Sequence, residues 1–322
     1  MRKSLVATAI VLSAVYFWNA SWTVAPPAAQ DIRIIAHRGV HQTYDRVGLD
    51  NDTCTATRIF PPEHRYLENT IASMQAAFAA GADIVELDVH PTTDGRFAVM
   101  HDWTVDCRTE ASGTVRSHSM ASLKRMDIGY GYTADGGATF PFRGLGVGLM
   151  PALDEVLAAM PDRRFLVNFK SKEVREGDML ADLLAAHPDW HGAVWGVYGG
   201  DAPTLQAKRR VPDIAAWTRR GLVSCLGQYV LYGWTGAVPS PCRDTTIMVP
   251  INVAPFLWGW PNRFQQRMAH VGSEIILIGP YKFGDPGTAG IDDVAMLSEI
   301  PERFSGFVWT NRVEHIGPAL RR

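Results

Sequence analysis

Residues 82–102 read A-D-I-V-E-L-D-V-H-P-T-T-D-G-R-F-A-V-M-H-D. Two alternating segments, Ile84–His90 and Phe97–His101, flank Asp94-Gly95, a dipeptide typical of tight β-hairpins. The stretch therefore predicts two antiparallel strands, with Asp94 and Gly95 as the two-residue loop between them.

This register brings polar side chains together on one face of the hairpin. It places Asp88 opposite His101, and because side chains alternate along a strand, Glu86 and His90 share the face of Asp88. Two carboxylates beside imidazoles indicate a functional site. The alternative is a half-solvated hairpin with a polar outer face, and a slip of one residue would change the geometry.

Length and composition indicate one large globular domain. Of 322 residues, 47% are hydrophobic and 20% are charged. An α/β barrel typically takes about 250 residues as a single unit. The net charge is −2 and there is no basic tract, so electrostatics gives no reason to expect a nucleic-acid partner.

Residues 1–30 have the pattern of an export signal. Arg2 and Lys3 precede an apolar run, Leu5–Trp18, and a Pro- and Ala-rich stretch, Ala25–Gln30, follows. The run is shorter than the about 20 residues that span a bilayer. We expect a cleaved signal peptide or a retained membrane anchor, and hence a periplasmic or extracellular protein, rather than a cytoplasmic protein with an apolar terminal helix. Residues 31–322 are predicted to form one barrel domain.

Four cysteines fit an oxidising compartment, because an even number at loop positions is what disulfides require. We predict the pairs Cys54–Cys107 and Cys225–Cys242, although four cysteines allow three pairings. The chain has no C-x-x-C motif, which argues against zinc.

Strand-like runs alternate with segments of helical spacing along the chain, and several runs are apolar throughout, as in strands covered on both faces. Counting only the first arm of the hairpin, there are eight: Ile32–Ala36, Ile84–His90, Phe165–Lys170, Ala193–Tyr198, Ile214–Thr218, Ile247–Val253, Glu274–Gly279 and Gly306–Asn311. This alternation predicts an α/β fold, a TIM-type (β/α)8 barrel, distorted by the β-hairpin at 84–101 and by a long inserted segment at 103–150.

Polar side chains collect at the C-terminal ends of four of these strands, where barrel enzymes place their catalytic groups. They are His37 and Arg38, Glu86 and Asp88, Asn168 and Lys170, and Thr310 with Asn311. Because four strands carry such side chains at the same end, we predict one site at the mouth of the barrel.

The charged members of this set suit phosphoester chemistry. Glu86 and Asp88 carry hard oxygen ligands, suited to Ca²⁺ or Mg²⁺. Arg38 and Lys170 can hold an anionic oxygen, and charge builds on non-bridging oxygens during phosphoester cleavage. The alternatives are an ordinary ion pair for Arg38 and a solvated strand end for Lys170.

His37 and His101 come from different strands, and each can titrate near neutrality. One would deprotonate the nucleophile while the other protonates the leaving oxygen. Either could instead be a hydrogen-bonded structural residue. Five further histidines fall in predicted loops or helices and are interpreted as surface residues: His41, His64, His118, His187 and His270.

Four short motifs run through the predicted site: A-H-R-G at 36–39, E-N-T at 68–70, E-L-D-V at 86–89 with D-G at 94–95, and H-D at 101–102. In this order and spacing they resemble the glycerophosphodiester phosphodiesterase family, phospholipase C-like phosphodiesterases of the TIM-barrel superfamily. The resemblance covers residues 32–170 well and continues weakly to Thr310-Asn311.

The resemblance implies hydrolysis of glycerophosphodiesters to glycerol 3-phosphate and an alcohol. A neighbouring glycerol hydroxyl would attack phosphorus, and water would open the cyclic phosphate. One divalent cation, Ca²⁺ or Mg²⁺, is implied, with Ca²⁺ typical of extracytoplasmic members. By motif match, His37 and His101 would be the acid/base pair, Arg38 and Lys170 would bind phosphate, Glu68 and Asn69 would line the site, and Glu86 and Asp88 would bind the metal.

One position departs from the family's pattern. Where the family has E-I-K at a strand end, this chain has Asn168-Phe169-Lys170. An Asn carbonyl can still ligate Ca²⁺, but one negative charge is lost, so we expect weaker metal binding, or replacement of the ligand by water or by a carboxylate from 103–150. The insertion at 40–67 and the aromatic segments Tyr229–Trp234 and Phe256–Trp260 are expected to shape substrate choice.

Two alternatives stay open. A phospholipase D-like relative on the same barrel would cleave lysophospholipids or sphingolipids. A non-catalytic exported binding protein on a degraded barrel has Asn168 as its only support. The expected partner is a small-molecule phosphodiester, with membrane attachment if the N-terminus is retained, and no protein partner is predicted.

Overall fold

A computed structural model describes residues 2–28, 32–50, 52–283 and 289–321. Within these ranges the strands are β1 (Arg33–His37), β2 (Ile84–Pro91), β3 (Phe97–Val99), β4 (Arg164–Phe169), β5 (Val194–Gly199), β6 (Ala215–Ala216), β7 (Thr246–Pro250), β8 (Glu274–Ile278) and β9 (Phe307–Thr310). The helices are α1 (Arg2–Asn19), α2 (Ile71–Ala79), α3 (Met120–Leu123), α4 (Leu153–Ala159), α5 (Val174–Ala186), α6 (Asp201–Arg210), α7 (Arg219–Tyr232), α8 (Asn262–His270) and α9 (Val313–Leu320).

Eight of these strands form a nearly closed parallel barrel. Their order is β6-β5-β4-β2-β1-β9-β8-β7, and β3 pairs antiparallel with β2 outside this path. Between the two end strands, the hydroxyl of Thr245 beside β7 donates a hydrogen bond to the carbonyl of Ala216 in β6 at 3.2 Å. The predicted (β/α)8 barrel is confirmed, with the return arm of the hairpin as its irregularity.

The strands are apolar because both of their faces are covered. In β2, Val85 and Leu87 point outward into the core between strands and helices, whereas Ile84 points inward into a second apolar cluster. Side chains alternate along a strand, so Glu86 and Asp88 also point inward, one and two layers nearer the C-terminal end of the barrel. The polar side chains at that end therefore pack above a layer of apolar side chains inside the barrel.

The hairpin has a different register from the predicted one. Val89 pairs with Val99, and the backbone N–H of Met100 donates to the carbonyl of Asp88 at 3.0 Å. Asp88 therefore lies opposite Met100, and the prediction that it faces His101 across the ladder is wrong by one residue. His101 lies beyond the end of β3 and reaches the site from a turn.

The loop of the hairpin explains this shift. The Thr92 N–H donates to the Arg96 carbonyl at 2.8 Å, which leaves three residues in the loop and not two. Gly95 adopts φ +77°, the left-handed residue that ends such a loop. The Asp94 carboxylate accepts the Met120 N–H at 3.1 Å, at the start of α3, so it binds the inserted segment.

The two insertions pack together at the C-terminal end of the barrel. Tyr44 and Ile59 form a β-bridge within the 40–67 segment, and both share an apolar cluster with Leu123 and Phe142 from the 103–150 segment. The predicted disulfides are confirmed. Cys54–Cys107 joins the two insertions, and Cys225–Cys242 joins α7 to the segment before β7, with Cα–Cα distances of 5.5 Å and 4.8 Å.

The N-terminal helix α1 is attached to the barrel domain by the last residues of the helix. Trp18 Nε1 donates to the Thr235 carbonyl at 3.0 Å, and Asn19 Nδ2 donates to the Trp234 carbonyl at 2.8 Å. In the described part of the chain, no helix combines the length and the apolar character needed to cross a membrane. The predicted boundary between residues 30 and 31 lies outside the described residues.

The aromatic segments near residues 230 and 258 have a structural role. Tyr229 is fully buried and donates its hydroxyl to the Trp258 carbonyl at 2.8 Å, and Trp258 Nε1 donates to the Val230 carbonyl at 2.9 Å. The two segments pack on each other and, through the Trp234 carbonyl, hold the end of α1. In this arrangement they secure the N-terminal helix.

Candidate active site

The predicted site residues meet at the C-terminal end of the barrel, around Asp88. This carboxylate is fully buried and lies 3.2 Å from Arg38 Nε and 3.5 Å from Lys170 Nζ. It also accepts hydrogen bonds from the side-chain amides of Asn69 at 3.0 Å and Asn168 at 2.9 Å. Four polar groups from three chain segments therefore converge on one buried negative charge.

Glu86 lies one inward position before Asp88 and is also fully buried. Its Oε1 accepts a hydrogen bond from the Tyr198 hydroxyl at 2.7 Å, and its Oε2 lies 3.8 Å from His37 Nε2. The parallel pairing of β1 with β2 sets His37 beside Glu86 in register. Of the two carboxylates of β2, Glu86 thus faces His37 directly.

His37 is oriented by an amide that is itself fixed. The Asn311 side chain donates its Nδ2 to Asp292 Oδ2 at 2.8 Å, so its Oδ1 faces His37 Nδ1 at 2.6 Å. An oxygen acceptor at that place requires the proton on Nδ1, which leaves Nε2 as a lone-pair acceptor turned into the site. Burial, and then the charge of Arg38, hold the pKa of His37 well below its ordinary value.

His101 is oriented by a carboxylate. Its Nδ1 lies 2.8 Å from Asp102 Oδ1, which again places the proton on Nδ1 and leaves Nε2 free to accept. Arg108 Nε donates to Asp102 Oδ2 at 2.8 Å. Burial and the cations Arg38 and Lys170 lower the pKa of His101, and Asp102 opposes them. Both catalytic candidates therefore turn Nε2 toward the charges of the site, and Asp102 gives His101 a negatively charged partner that His37 lacks.

Arg38 is held in a strained backbone conformation, with φ +57°, which non-glycine residues rarely adopt. Gly39 follows at φ +76°, where an added Cβ would lie 2.6 Å from Ser73 Oγ. The turn after β1 thus directs the guanidinium back toward Asp88 and Glu68. Burial alone would lower the pKa of Arg38, but the attraction of these two carboxylates raises it.

Glu68 and Asn69, predicted to line the site, hold its charged groups. Glu68 Oε1 lies 3.3 Å from Arg38 Nη1 and 3.2 Å from Arg108 Nη2. Glu68 therefore links Arg38, a phosphate-binding candidate, to Arg108, which binds Asp102. Asn69 has φ +60° and binds Asp88 twice, because its Oδ1 also accepts the Asp88 N–H at 3.2 Å. Both residues therefore position their neighbours.

Asn168 turns its amide nitrogen toward the carboxylates. Nδ2 donates to Asp88 and, at 3.2 Å, to the Tyr198 hydroxyl, so the amide serves Asp88 as a donor in this arrangement. The predicted metal ligand would be its oxygen, which requires the opposite orientation of the amide. Asp88 accepts the nitrogen because a buried carboxylate needs donors.

The carboxylate pair fits a divalent cation. Burial and the neighbouring Asp88 raise the pKa of Glu86, whereas Lys170 and Arg38 outweigh burial and lower the pKa of Asp88. Glu86 is thus the carboxylate whose negative charge is less fully compensated by neighbouring cations. Within the described ranges no group of three or more His, Cys, Asp or Glu side chains could hold a metal. A cation here would bind Glu86 and Asp88, with water, amide or substrate oxygens completing its shell, as Mg²⁺ commonly does.

Several residues that organise the site were not identified from the sequence, and Asn311 was placed at a strand end of the site without a role. Tyr198 ends β5, Asn311 and Asp292 orient His37, and Arg108 supports Asp102. Most are single polar residues at the ends of strands or in loops, and no local pattern distinguishes them. His41, interpreted above as a surface residue, is buried with its ring 6.0 Å from that of His37.

The fold and the site define an α/β-barrel protein with two oriented imidazoles around buried carboxylates and cations. The resemblance drawn from the motifs is confirmed, because the model of the Glycerophosphoryl diester phosphodiesterase family matches residues 37–190. That range includes the residues predicted to act as acid or base, to bind phosphate or metal, or to line the site, whereas Thr310 and Asn311 lie outside it.

Individual relatives agree with this family. The chain is 38% identical over 105 residues to a glycerophosphodiester phosphodiesterase of Caldanaerobacter subterraneus subsp. tengcongensis, covering 33% of this chain and 40% of the relative. It is 35% identical over 108 residues to a glycerophosphodiester phosphodiesterase of Bacillus altitudinis, with the same coverage. The chain thus spans about two fifths of the length of these relatives.

Solved structures share the fold over almost the whole chain. A glycerophosphoryl diester phosphodiesterase domain from Mycobacterium tuberculosis has a TM-score of 0.63 at 17% identity, covering 90% of this chain and 99% of that one. An Oleispira antarctica phosphodiesterase in complex with the product sn-glycerol-3-phosphate has a TM-score of 0.56 at 17% identity, covering 91% and 98%. These similarities establish the barrel architecture.

Proposed function

We propose that the protein hydrolyses glycerophosphodiesters to glycerol 3-phosphate and an alcohol. The observation that carries the proposal is the pair of oriented imidazoles. His37 and His101 each have Nδ1 bound to a fixed oxygen, and the charges of Arg38 and Asp88 act on both rings. Two proton-transfer groups beside cations suit cleavage of a phosphodiester.

The partners of the two histidines differ, and this difference assigns their roles. His37 is bound to the neutral amide of Asn311, so it stays unprotonated and acts as the base. His101 is bound to Asp102, whose negative charge stabilises an imidazolium, so it acts as the acid.

The proton transfers balance over two half-reactions. The reaction begins with His37 neutral and His101 protonated on both ring nitrogens. His37 Nε2 takes the proton of the glycerol 2-hydroxyl as its oxygen bonds to phosphorus, and His101 Nε2 gives its proton to the departing alcohol. In the second half His101 takes a proton from the water that attacks the cyclic phosphate, and His37 returns its proton to the glycerol 2-oxygen. The enzyme is then in its starting protonation state.

Phosphate and metal binding involve separate groups in the proposal. Arg38 and Lys170 hold the non-bridging oxygens, and Glu86 and Asp88 hold one divalent cation, Ca²⁺ or Mg²⁺. When bound, the cation stabilises negative charge on the phosphate. The reduced charge at Asn168 leads us to expect weaker metal binding than a third carboxylate would give.

The test is product analysis by ³¹P NMR with glycerophosphocholine as substrate. Reactions contain Ca²⁺, Mg²⁺ or a chelator, with folding checked by circular dichroism. We expect glycerol 3-phosphate with either or both metals, and none with the chelator. A folded protein that is inactive in every condition would contradict the proposal and favour a non-catalytic binding protein.

We also propose that the protein is exported and remains attached to a membrane through α1. The two disulfides fit an oxidising compartment. Apolar side chains exposed along α1, such as Ile10, Leu12 and Phe17, would be covered by lipid.

Mass spectrometry of the exported protein, together with membrane fractionation, tests this attachment. The contacts of Trp18 and Asn19 with the barrel lead us to expect an intact N-terminus and recovery in the membrane fraction. Cleavage near residue 20 with recovery in the soluble fraction would contradict it.

A further inference from the structure

Arg108 is the residue through which the two insertions reach the candidate site. Its guanidinium is buried and donates from Nε to Asp102 Oδ2 at 2.8 Å, and its Nη2 lies 3.2 Å from Glu68 Oε1. Nη2 also donates to the Thr55 hydroxyl at 2.9 Å, and Nη1 donates to the Tyr132 hydroxyl. Thr55 belongs to the 40–67 insertion and Tyr132 to the 103–150 insertion, so both insertions hold the group that holds Asp102.

The Cys54–Cys107 disulfide lies directly beside one of these hydrogen bonds. Cys54 precedes Thr55 and Cys107 precedes Arg108, and the two cysteine Cα atoms are 5.5 Å apart. The covalent link is therefore one residue away from each partner of the bond between Arg108 and the Thr55 hydroxyl. Because 53 positions of sequence separate these partners, only tertiary links keep them together, and the disulfide is the covalent one.

Two backbone hydrogen bonds add to the links around Arg108. The Gly131 N–H donates to the Arg108 carbonyl at 3.3 Å, and the Thr133 N–H donates to the Ala56 carbonyl at 2.9 Å. Tyr132, which lies between these two donors, is thereby placed against the guanidinium. A hydrogen bond allows shifts that a covalent bond prevents, so the disulfide limits movement on the side of the 40–67 insertion.

Movement of Arg108 would be transmitted to His101. Asp102 accepts from Arg108 Nε through Oδ2 and faces His101 Nδ1 through Oδ1, at 2.8 Å in each case. Both oxygens belong to one planar carboxylate, so a shift of the guanidinium rotates the carboxylate and changes the direction of the imidazole. A general acid must lie within hydrogen-bond reach of the leaving oxygen, so this direction controls how well His101 delivers its proton.

We propose that Cys54 and Cys107 are positioning residues for the acid step. Their disulfide keeps Thr55 in contact with Arg108 and so keeps His101 oriented. The inference rests on the proposed function and adds a requirement to its first half-reaction. Since the effect of the disulfide passes through Arg108, its loss should impair proton delivery to the leaving alcohol and not the binding of phosphate.

Two substrates that differ in the leaving group separate proton delivery from other effects. Glycerophosphocholine releases an alcohol, which needs a proton to leave, whereas the 4-nitrophenyl ester of glycerol 3-phosphate releases a phenolate that is stable without one. In Cys54→Ala/Cys107→Ala we expect kcat/KM for glycerophosphocholine to fall about tenfold or more, toward the roughly 10²-fold that a misplacement of about 1 Å costs. For the 4-nitrophenyl ester we expect little change. Thr55→Val, which keeps the disulfide and removes the hydroxyl, should show the same pattern.

The matched control is Cys225→Ala/Cys242→Ala, because it removes the other disulfide, which joins α7 to the segment before β7. This control should keep the kcat/KM of the parent for both substrates. Circular dichroism, and assays well below the unfolding transition of each variant, exclude loss of fold as the cause of a difference.

Three results would overturn the proposal. A kcat/KM for glycerophosphocholine equal to that of the parent, in folded Cys54→Ala/Cys107→Ala or in Thr55→Val, shows that the acid step does not need this contact. Equal losses for the two substrates show that the defect is not in proton delivery. A selective loss of the same size in the control shows that it is not specific to Cys54–Cys107.

If the parent cleaves neither substrate, the proposed function fails, and NMR of protein labelled with ¹⁵N-histidine tests the positioning separately. The resonance of His101 Nδ1–H is assigned by its absence in His101→Gln. We expect a hydrogen-bonded, slowly exchanging proton in the parent and in the control, and a shifted or broadened one in Cys54→Ala/Cys107→Ala. An unchanged resonance in that variant, or none in the parent, contradicts the proposal.

Discussion

Asp102 sets the protonation of His101 through one hydrogen bond. Its carboxylate lies 2.8 Å from His101 Nδ1 and is held by Arg108, so it stabilises the imidazolium that the acid role requires. The cation Arg108 and the bond to His101 outweigh burial and keep the pKa of Asp102 below its ordinary value. It therefore stays charged at neutral pH.

Asp102→Asn should lower kcat about 10²-fold, within the range that general acid–base catalysis contributes. Because the neutral amide no longer stabilises the imidazolium, the pKa of His101 falls further and the basic limb of the pH–rate profile moves to lower pH. The measurement is kcat/KM against pH. An unchanged profile in the folded variant would remove Asp102 from the mechanism.

Tyr198 belongs to the carboxylate pair although no motif marks it. Its hydroxyl donates to Glu86 and favours the charged carboxylate. Tyr198→Phe should raise the pKa of Glu86 and weaken divalent-cation binding several-fold at pH 7, because protons then compete better with the metal. Isothermal titration with Ca²⁺ and Mg²⁺ measures this without reference to activity. Equal affinity in Tyr198→Phe and the parent would contradict a metal site at Glu86.

His41 makes stability depend on pH. It is buried, and burial lowers its pKa below the ordinary value of 6.5. The unfolded chain therefore takes up a proton near pH 6.5 while the folded protein does not. The contribution of neutral His41 is present above pH 6.5 and is lost as pH falls toward the folded pKa, by at most about 1.4 kcal/mol per pH unit.

Urea unfolding at pH 7.5, 6.5 and 5.5 tests the direction of this pH dependence. We expect the free energy of unfolding of the parent to fall with pH, and the fall to be shallower in His41→Gln. His187→Gln, at an exposed histidine, is the matched control and should keep the parent's slope. Identical slopes in His41→Gln and the parent would show that His41 titrates normally.

At the scale of elements, the eight parallel strands were predictable and the hairpin register was not. Continuous apolar runs such as β8 identify strands covered on both faces, and this signal is local. The loop after β2 depends on Asp94, which binds the N–H of Met120 26 residues away. A contact of that range competes with the local preference of Asp-Gly for a two-residue loop, and sequence periodicity cannot reveal it.

The two disulfides support different elements. In the chain-entropy account, closing the 53-residue separation of Cys54–Cys107 stabilises by about 4 kcal/mol, and the 17-residue separation of Cys225–Cys242 by about 3 kcal/mol. We expect Cys54→Ala/Cys107→Ala to lower the free energy of urea unfolding more than Cys225→Ala/Cys242→Ala does. The opposite order would contradict the view that Cys54–Cys107 mainly constrains the unfolded insertions.

At the scale of the whole molecule, the barrel brings distant residues into one site. The motif residues from His37 to Lys170 were predictable because each closes a recognisable strand or belongs to a short family pattern. Asn311 and Asp292 were not assigned roles, because their function is to orient His37 across 274 and 255 positions of sequence, and this pairing exists only once β9 closes against β1.

The most direct test of the two-histidine mechanism is kcat/KM for glycerophosphocholine in the parent, His37→Ala and His101→Ala, with His187→Ala as the matched control. The two-histidine mechanism predicts losses of about 10²- to 10⁴-fold in each of the first two variants and no loss in the control. Activity of folded His37→Ala or His101→Ala equal to that of the parent would contradict the two-histidine mechanism.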